Sequence, residues 1–279
     1  MTLHTALVEA STQVTRRDAE TLLAHLLDRD RAWIFAHPES DLDPDQKEAF
    51  RDLTARRAAH EPLQYITGQQ EFYGLPLRVT PDTLIPRPET ELLVEAVLHW
   101  ASSQSPALRI LDIGTGTGAI AFALATHLPA AEIVACDISA AALAVARDNA
   151  ETLDLADRVR FTQSDLLAAL TPELDAGGLF DAVVSNPPYV PSADAATMQP
   201  EVVDHEPHLA LFAGDDGLEV YRRLIPQAHA ALRPGGLLAM EFGFGQRDAL
   251  GGLLAGWQNV RFLDDYAGIP RIVLALRSS

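Results

Sequence analysis

An α/β fold, built on a doubly wound and mostly parallel seven-stranded sheet, is the expectation from three features of this 279-residue chain. From residue 108 onward, apolar strand-like runs alternate with helix-length runs, the pattern of a parallel sheet with helices on both faces. A glycine-rich turn, Gly114 to Gly118, follows the first of those runs and opens a helix, as ligand-binding loops of open sheets do. Before residue 68 the periodicity is helical only, so a small N-terminal helical bundle precedes the sheet.

The elements follow in order. Residues 1–67 are read as the helical domain. In "TRRDAETLLAHLLD", Thr15 and Asp18 have capping-box spacing, and Ala19, Leu22, Leu23, Leu26 and Leu27 share one helical face. A short turn is expected around "RAWIFAHP". Asp43 as N-cap and Pro44 at the first helical position open a further helix. Residues 68–87 carry aromatics, Gly74 and Pro76, which suggest a connecting β-hairpin. Residues 88–279 form the sheet domain. It opens with the helix "RPETELLVEAVLHWAS", which places Leu93, Val97 and Trp100 on one face. Seven strand-like runs follow: "LRILDI", "AEIVACDI", "RVRFTQ", "LFDAVVS", "GLLAMEF", "NVRFL" and "RIVLAL". The last two are separated only by "DDYAGIP", which permits a hairpin and hence one antiparallel strand at the end of the sheet.

Composition narrows the function classes. Acids outnumber bases 39 to 21, the net charge is -18, and Lys47 is the only lysine. Nucleic acid recruits proteins through cations that neutralise phosphates, so a protein or small molecule is the better partner. The single cysteine, Cys136, excludes an internal disulfide and a cysteine-cluster metal site, and its expected place is a buried strand. No apolar run is long enough to span a bilayer, and the first residues lack the basic-then-apolar pattern of a signal peptide, so a cytoplasmic location is expected. His205 and His208 have a spacing reminiscent of metal ligands, but Pro207 interrupts a helix there and no third ligand cluster is evident, so no metal is expected.

The loop "LDIGTGTGAIA" has two readings. Gly114, Gly116 and Ala119 satisfy a dinucleotide fingerprint. Asp112, two residues before Gly114, would repel a pyrophosphate but would suit the cationic amino group of S-adenosylmethionine. Asp137, at the end of the second strand run, can accept from both ribose hydroxyls of either ligand. Ser164 and Asp165 end the third; Asp165 could accept from an adenine amine and Leu166 could cover the ring, with helix capping as the plain alternative for Asp165.

The fourth run, "LFDAVVS", ends in Asn186-Pro187-Pro188-Tyr189. A planar NH2 beside a carbonyl or aromatic ring is a weak nucleophile and must be held in line to accept a methyl group. The Asn186 side-chain oxygen and the Pro187 carbonyl can accept its two hydrogens, the prolines make that backbone rigid, and Tyr189 offers a flat face. Amide and nucleobase amine fit this logic equally. A DNA or RNA exocyclic-amine methyltransferase is therefore the alternative reading, a nicotinamide-dependent oxidoreductase a second, and a non-catalytic translation-factor binding module a third.

Taken together, "YITGQQEFYGL", "TLIPRPETELLVE", "LDIGTGTGAIA", "VSNPPYV", "HEPHLALFAGDDGL" and "AGIPRIV" make the chain resemble the release-factor glutamine N5-methyltransferases over nearly its whole length. The resemblance implies the seven-stranded methyltransferase sheet. It implies transfer of a methyl group from S-adenosylmethionine to the glutamine amide nitrogen of the Gly-Gly-Gln motif in peptide chain release factors. Members bind the methyl donor at positions matching Gly114, Thr115, Gly116, Thr117, Gly118, Asp137 and Leu166, with Asn186 beside the methyl. The target glutamine would lie on Asn186, Pro187, Pro188 and Tyr189, of which Asn186, Pro187 and Tyr189 are the catalytic candidates. Leu166 stands where the family often has an aromatic ring. The helical domain would dock the release factor. From the residues themselves, Glu206 and Pro207 would shape a wall of the target pocket, and Arg87 and Glu89 could close over it from the other side, with helix capping by that segment an equal alternative. A monomer without nucleic-acid or membrane partners is expected.

Overall fold

The computed structural model describes residues 1–278. The chain divides into two compact units: Met1–Gln69 together with Gln199–His205, and Gln70–Met198 together with the residues from Glu206 onward.

The first unit is helical, with helices Leu3–Ala10, Arg16–Leu27, Arg31–Ala36, Pro44–Ala58 and Leu63–Thr67. Each of the first four starts on a side-chain cap: Thr2, Thr15, Asp30 and Asp43 accept from the third backbone N–H that follows. Asp43 and Gln46 complete a reciprocal capping box. Leu3, Leu7, Leu22, Leu23, Ile34 and Phe50 form the core. The expected turn around "RAWIFAHP" is instead the helix Arg31–Ala36. The Asp30 cap starts it, and Arg31 is drawn to the buried Glu20, 2.6 Å away, which Arg16 also contacts. The loop segment Gln199–His205 is tied to the helices by Arg57, which bridges Asp18 (2.9 Å) and Glu201 (2.6 Å).

The hairpin pairs β1 (Gln69–Phe72) with β2 (Leu75–Arg78). Its two turn residues, Tyr73 and Gly74, both have positive φ (52° and 78°), the requirement of a two-residue type I′ loop. Phe72 and Leu77 are buried in the core of the larger unit. Asn149 pins β2 by exchanging two hydrogen bonds with the Arg78 backbone.

The sheet contains β3 (Arg109–Ile113), β4 (Glu132–Asp137), β5 (Val159–Gln163), β6 (Phe180–Ser185), β7 (Leu232–Glu241), β8 (Gln258–Asp264) and β9 (Pro270–Leu276), in the order β5-β4-β3-β6-β7-β9-β8. The pairings from β5 through β7 are parallel, while β9 runs antiparallel to both β7 and β8. The one antiparallel strand therefore lies inside the edge, between β7 and β8. Two apolar clusters cover the two faces, one around Phe122, Ile110 and Val184, the other around Tyr221, Val183 and Met240. The strand order reverses at β3, which pairs β4 on one side and β6 on the other. In open sheets the crevice beyond the strands' carboxyl ends at such a point is where ligands bind.

Candidate active site

Three strand ends converge there. After β3 the chain turns back under its neighbour: the N–H groups of Gly114 and Thr115 both donate to the Cys136 carbonyl of β4, at 2.9 and 3.0 Å. Asp137, one residue on, receives the Gly116 N–H on Oδ2 and the Ser139 N–H on Oδ1, both at 2.9 Å. One carboxyl group thus holds the glycine loop and the start of the next helix. Burial pushes its pKa up, and these backbone bonds oppose the rise. Gly116 has φ +54° and nothing within 4 Å of where a Cβ would stand, so the loop offers bare backbone to a ligand. Gly118 serves a different need: its Cβ would meet the Phe122 ring at 2.1 Å.

Asp112 lies beneath the loop and is fully buried. Its Oδ2 accepts from the Thr115 hydroxyl at 2.7 Å, while Oδ1 has no hydrogen-bond partner among the described residues. Burial raises the carboxyl to about 7, with the charge of Asp137 adding to the rise and the Thr115 bond opposing it.

β6 ends at Ser185, whose hydroxyl donates to the Ile113 carbonyl at 2.7 Å and locks the two strand ends together. Asn186 follows directly. Its Nδ2 donates to the Thr90 hydroxyl at 3.0 Å, and Thr90 donates in turn to Glu241 Oε2 at 2.6 Å. The Tyr189 hydroxyl donates to Glu241 Oε1 at 3.2 Å, and Tyr221 donates to the Glu241 backbone carbonyl at 2.8 Å. Glu241 is buried at the end of β7, which raises its carboxyl against the two hydroxyl bonds and the positive charge of Arg271. Gln246 completes the frame by donating to the carbonyls of Tyr189 and Gly217.

These ends surround a cavity of about 320 Å³. Gly114, Gly116, Asp137, Asp165, Leu166, Asn186, Pro187 and Pro188 are on its wall. Thr115, Thr117, Gly118 and Tyr189 are not: Thr115 bonds to Asp112, Thr117 is held through its carbonyl by Asn149, and the Tyr189 ring packs into the core. The opposite wall comes from Asp82 to Leu84 and from Pro207 to Ala213. These two segments are joined by Glu206, which is buried, pairs with the Arg87 guanidinium and accepts the Ile85 N–H at 3.2 Å. Glu89 is exposed and lines no part of the cavity. Asp165 pairs with Arg223 at 2.6 Å, and the capping bond in its loop is made by Ser164, which accepts from Ala169. Leu166 has φ +49°, an uncommon conformation for a branched side chain, and faces the cavity. Cys136 is buried in β4, where burial pushes its thiol far up. Among the described residues no group of three or more His, Cys, Asp or Glu is placed to hold a metal ion.

Thr90 and Glu241 are the residues that reasoning from sequence did not single out. Glu241 did leave a trace: it is an acid inside the otherwise apolar run "LLAMEF", and a carboxylate at such a position needs partners.

The residues fit the cationic methyl donor considered above: bare glycine backbone faces the cavity, Asp137 borders it, and the buried Asp112 oxygen lacks a partner. Sheet order and glycine loop together define a class I methyltransferase fold. Comparison with known proteins narrows this. The PrmC N-terminal domain family matches residues 4–68 and the methyltransferase small domain family matches residues 88–206. A release factor glutamine methyltransferase of Koribacter versatilis is 44% identical over 95% of this chain and 92% of its own length. Another, of Moorella thermoacetica, is 46% identical over 99% of both chains. The hMettl16 catalytic domain in complex with MAT2A 3'UTR hairpin 6 shares the fold, with TM-score 0.57 at 21% identity, covering 82% of this chain and 83% of that one. The chain belongs to the release factor glutamine methyltransferase family.

Proposed function

We propose that this protein methylates the side-chain amide nitrogen of the glutamine in the Gly-Gly-Gln motif of peptide chain release factors, with S-adenosylmethionine as donor. The observation that carries this reading is the position of Asn186 and Pro187 on the same cavity wall as Gly114 and Gly116. When bound, S-adenosylmethionine supplies an electrophilic methyl group on a sulfonium. Gly114 and Gly116 give its carboxyl-end groups access to backbone. Asp137 keeps lone pairs for ribose hydroxyls beyond the two backbone bonds it already makes. Asp165 and Leu166 border the place for the adenine, Leu166 by apolar contact in place of aromatic stacking.

The target amide is a weak nucleophile, so the residues of the chain act by positioning. The Asn186 oxygen and the Pro187 carbonyl accept the two N–H groups and align the nitrogen, and Pro188 keeps that backbone rigid. Tyr189 braces the segment through Glu241. After transfer the N-methylated amide is cationic and strongly acidic, and it gives its proton to water without a strong base. The helical unit is read as the part that engages the release factor, in keeping with the acidic balance of the chain. The protein acts as a cytoplasmic monomer in this reading, and no helix among the described residues is long and apolar enough to cross a membrane.

The test offers labelled methyl donor with purified release factor, duplex DNA and ribosomal RNA in separate reactions. Label should enter the release factor alone and vanish when its motif glutamine is changed to alanine. Label on nucleic acid alone overturns the proposal.

A further inference from the structure

The chain Asn186–Thr90–Glu241 has a direction, and the direction carries information. An asparagine amide can face its site with either its oxygen or its NH2, and the two faces have nearly the same shape. Only the oxygen can accept from a target amide; the NH2 would meet N–H with N–H. At Asn186 the choice is made from behind. A carboxylate only accepts, so the Thr90 hydroxyl donates its hydrogen bond to Glu241 Oε2 at 2.6 Å. The Thr90 oxygen is then left as an acceptor, and it takes Nδ2 of Asn186 at 3.0 Å. Oδ1 makes no hydrogen bond within the described chain and belongs to a side chain on the cavity wall.

We propose that Thr90 and Glu241 are positioning residues that fix the amide orientation of Asn186, so that it presents an acceptor, and thereby select an NH2-bearing target over a carboxylate. This rests on the reading of the cavity given above. Several features suit the role. Thr90 and Glu241 are 4% and 2% exposed, so water does not compete for the chain of bonds. The second Glu241 oxygen is occupied by Tyr189, and its backbone by Tyr221, so the carboxyl group itself cannot turn freely. Thr90 is set by the short 3-10 turn Pro88–Thr90, whose preceding residue Arg87 is anchored on Glu206. Thr90, Asn186 and Glu241 come from three separate segments, and of the three only Asn186 lines the cavity.

Thr90→Val keeps the shape of the side chain and removes the hydroxyl; Thr90→Ser restores it. With a purified release factor as substrate, Thr90→Val should lower kcat on the order of 10-fold or more, with KM and methyl-donor affinity within about 3-fold of wild type. Thr90→Ser should recover most of that loss. A release factor carrying glutamate in place of the motif glutamine supplies a readout that packing alone would not move. As a competitive inhibitor it should bind Thr90→Val more tightly, relative to the glutamine form, than it binds wild type, because Asn186 is then free to turn its NH2 outward. Wild-type kcat in Thr90→Val, or a Ser variant as impaired as the Val variant, overturns the inference. An unchanged preference for glutamine over glutamate does so as well. A wild-type protein that transfers no methyl group to the release factor overturns the reading of the cavity, and this inference falls with it.

Discussion

Two buried acids stand at the carboxyl ends of two central strands, and they are treated oppositely. Glu241, behind the Asn-Pro-Pro-Tyr segment, has both carboxyl oxygens and its backbone carbonyl occupied by hydroxyls. Asp112, beneath the glycine loop, has one oxygen bonded to Thr115 and the other left without a partner. Burying a polar atom without a partner costs roughly 1–3 kcal/mol, more for a charged one. The frame behind Asn186, at the proposed target end, is therefore complete before anything binds, whereas one buried acid oxygen beneath the glycine loop, behind the cavity wall, is left without a partner. A weak, uncharged nucleophile needs a rigid frame, and a cationic donor can be drawn by an unsatisfied acid. The difference between the two ends matches the difference between the two reactants.

The largest effect should come from the rigid end. If Asn186 accepts from the reacting nitrogen as proposed, Asn186→Ala should lower kcat by about 10³-fold, ~4 kcal/mol, as for the loss of a principal transition-state hydrogen bond. Donor affinity, measured by calorimetry, should stay within a few-fold, since Asp137 and the loop are untouched. A kcat within tenfold of wild type would show that the frame is not where the rate is made.

The unmet acid should reveal itself in the pH dependence of stability. In the folded chain Asp112 is raised to about 7; in the unfolded chain it titrates near the usual value, about 3.9. Below both values the proton is bound in either state and the group contributes nothing. Between them the native state keeps a proton that the unfolded state has lost, so stability falls as pH rises, and the loss is complete above about 7. The total is on the order of 4 kcal/mol. Denaturant melts of the ligand-free protein from pH 5 to 8 should show this slope, Asp112→Asn should remove most of it, and saturating donor should flatten it. An identical slope in wild type and Asp112→Asn would place the demand elsewhere.

How much of this contrast could be read from the sequence depends on the separation of the residues involved. The sheet was legible because each strand is one contiguous apolar run, and Gly114, Gly116, Asp137 and Asn186 were legible because each sits at the end of such a run. The place of β9 inside the edge was not, since a hairpin spacing says that β8 and β9 pair but not which of them meets β7. The helix Arg31–Ala36 escaped because it is too short to show a period and depends on a cap and an ion pair. The Thr90–Glu241 bond joins residues 151 apart, and no local pattern encodes such a contact. Asp112 was recognisable as an acid near a ligand, but its complete burial and its single side-chain partner, Thr115, depend on packing around a central strand that no local pattern encodes.

Within the loop, the glycines should divide as the two ends do. Gly118 has φ +88° and no room for a Cβ beside Phe122. Gly118→Ala should therefore destabilise the fold by about 2 kcal/mol, from backbone strain and crowding together. Gly116→Ala meets no atom within 4 Å and bears only the strain of its positive φ, so its cost in stability should be smaller and its cost in donor affinity larger. Thermal melts with and without donor separate the two. A Gly116→Ala protein that melts as low as Gly118→Ala would remove the distinction between the packed and the ligand-facing parts of the loop.

The smallest effect is expected at Asp165, where the donor end reaches solvent. Asp165 and Arg223 are each about half exposed, 48% and 47%, so their ion pair is worth well under ~1 kcal/mol. The pair uses Oδ2 and leaves Oδ1 without a bond in the described chain, so a ligand N–H can be accepted without breaking it. Arg223→Ala should then change donor affinity less than about twofold, while Asp165→Ala should cost about fivefold, ~1 kcal/mol, the usual scale of one hydrogen bond. The two variants differ in which half of the pair they delete, which makes calorimetry on both a test of how the oxygen is used. Equal losses would mean that the pair acts as a unit. The exposed rim of the donor end would then be organised in advance, as Glu241 is, and the contrast between the two ends would narrow to Asp112 alone.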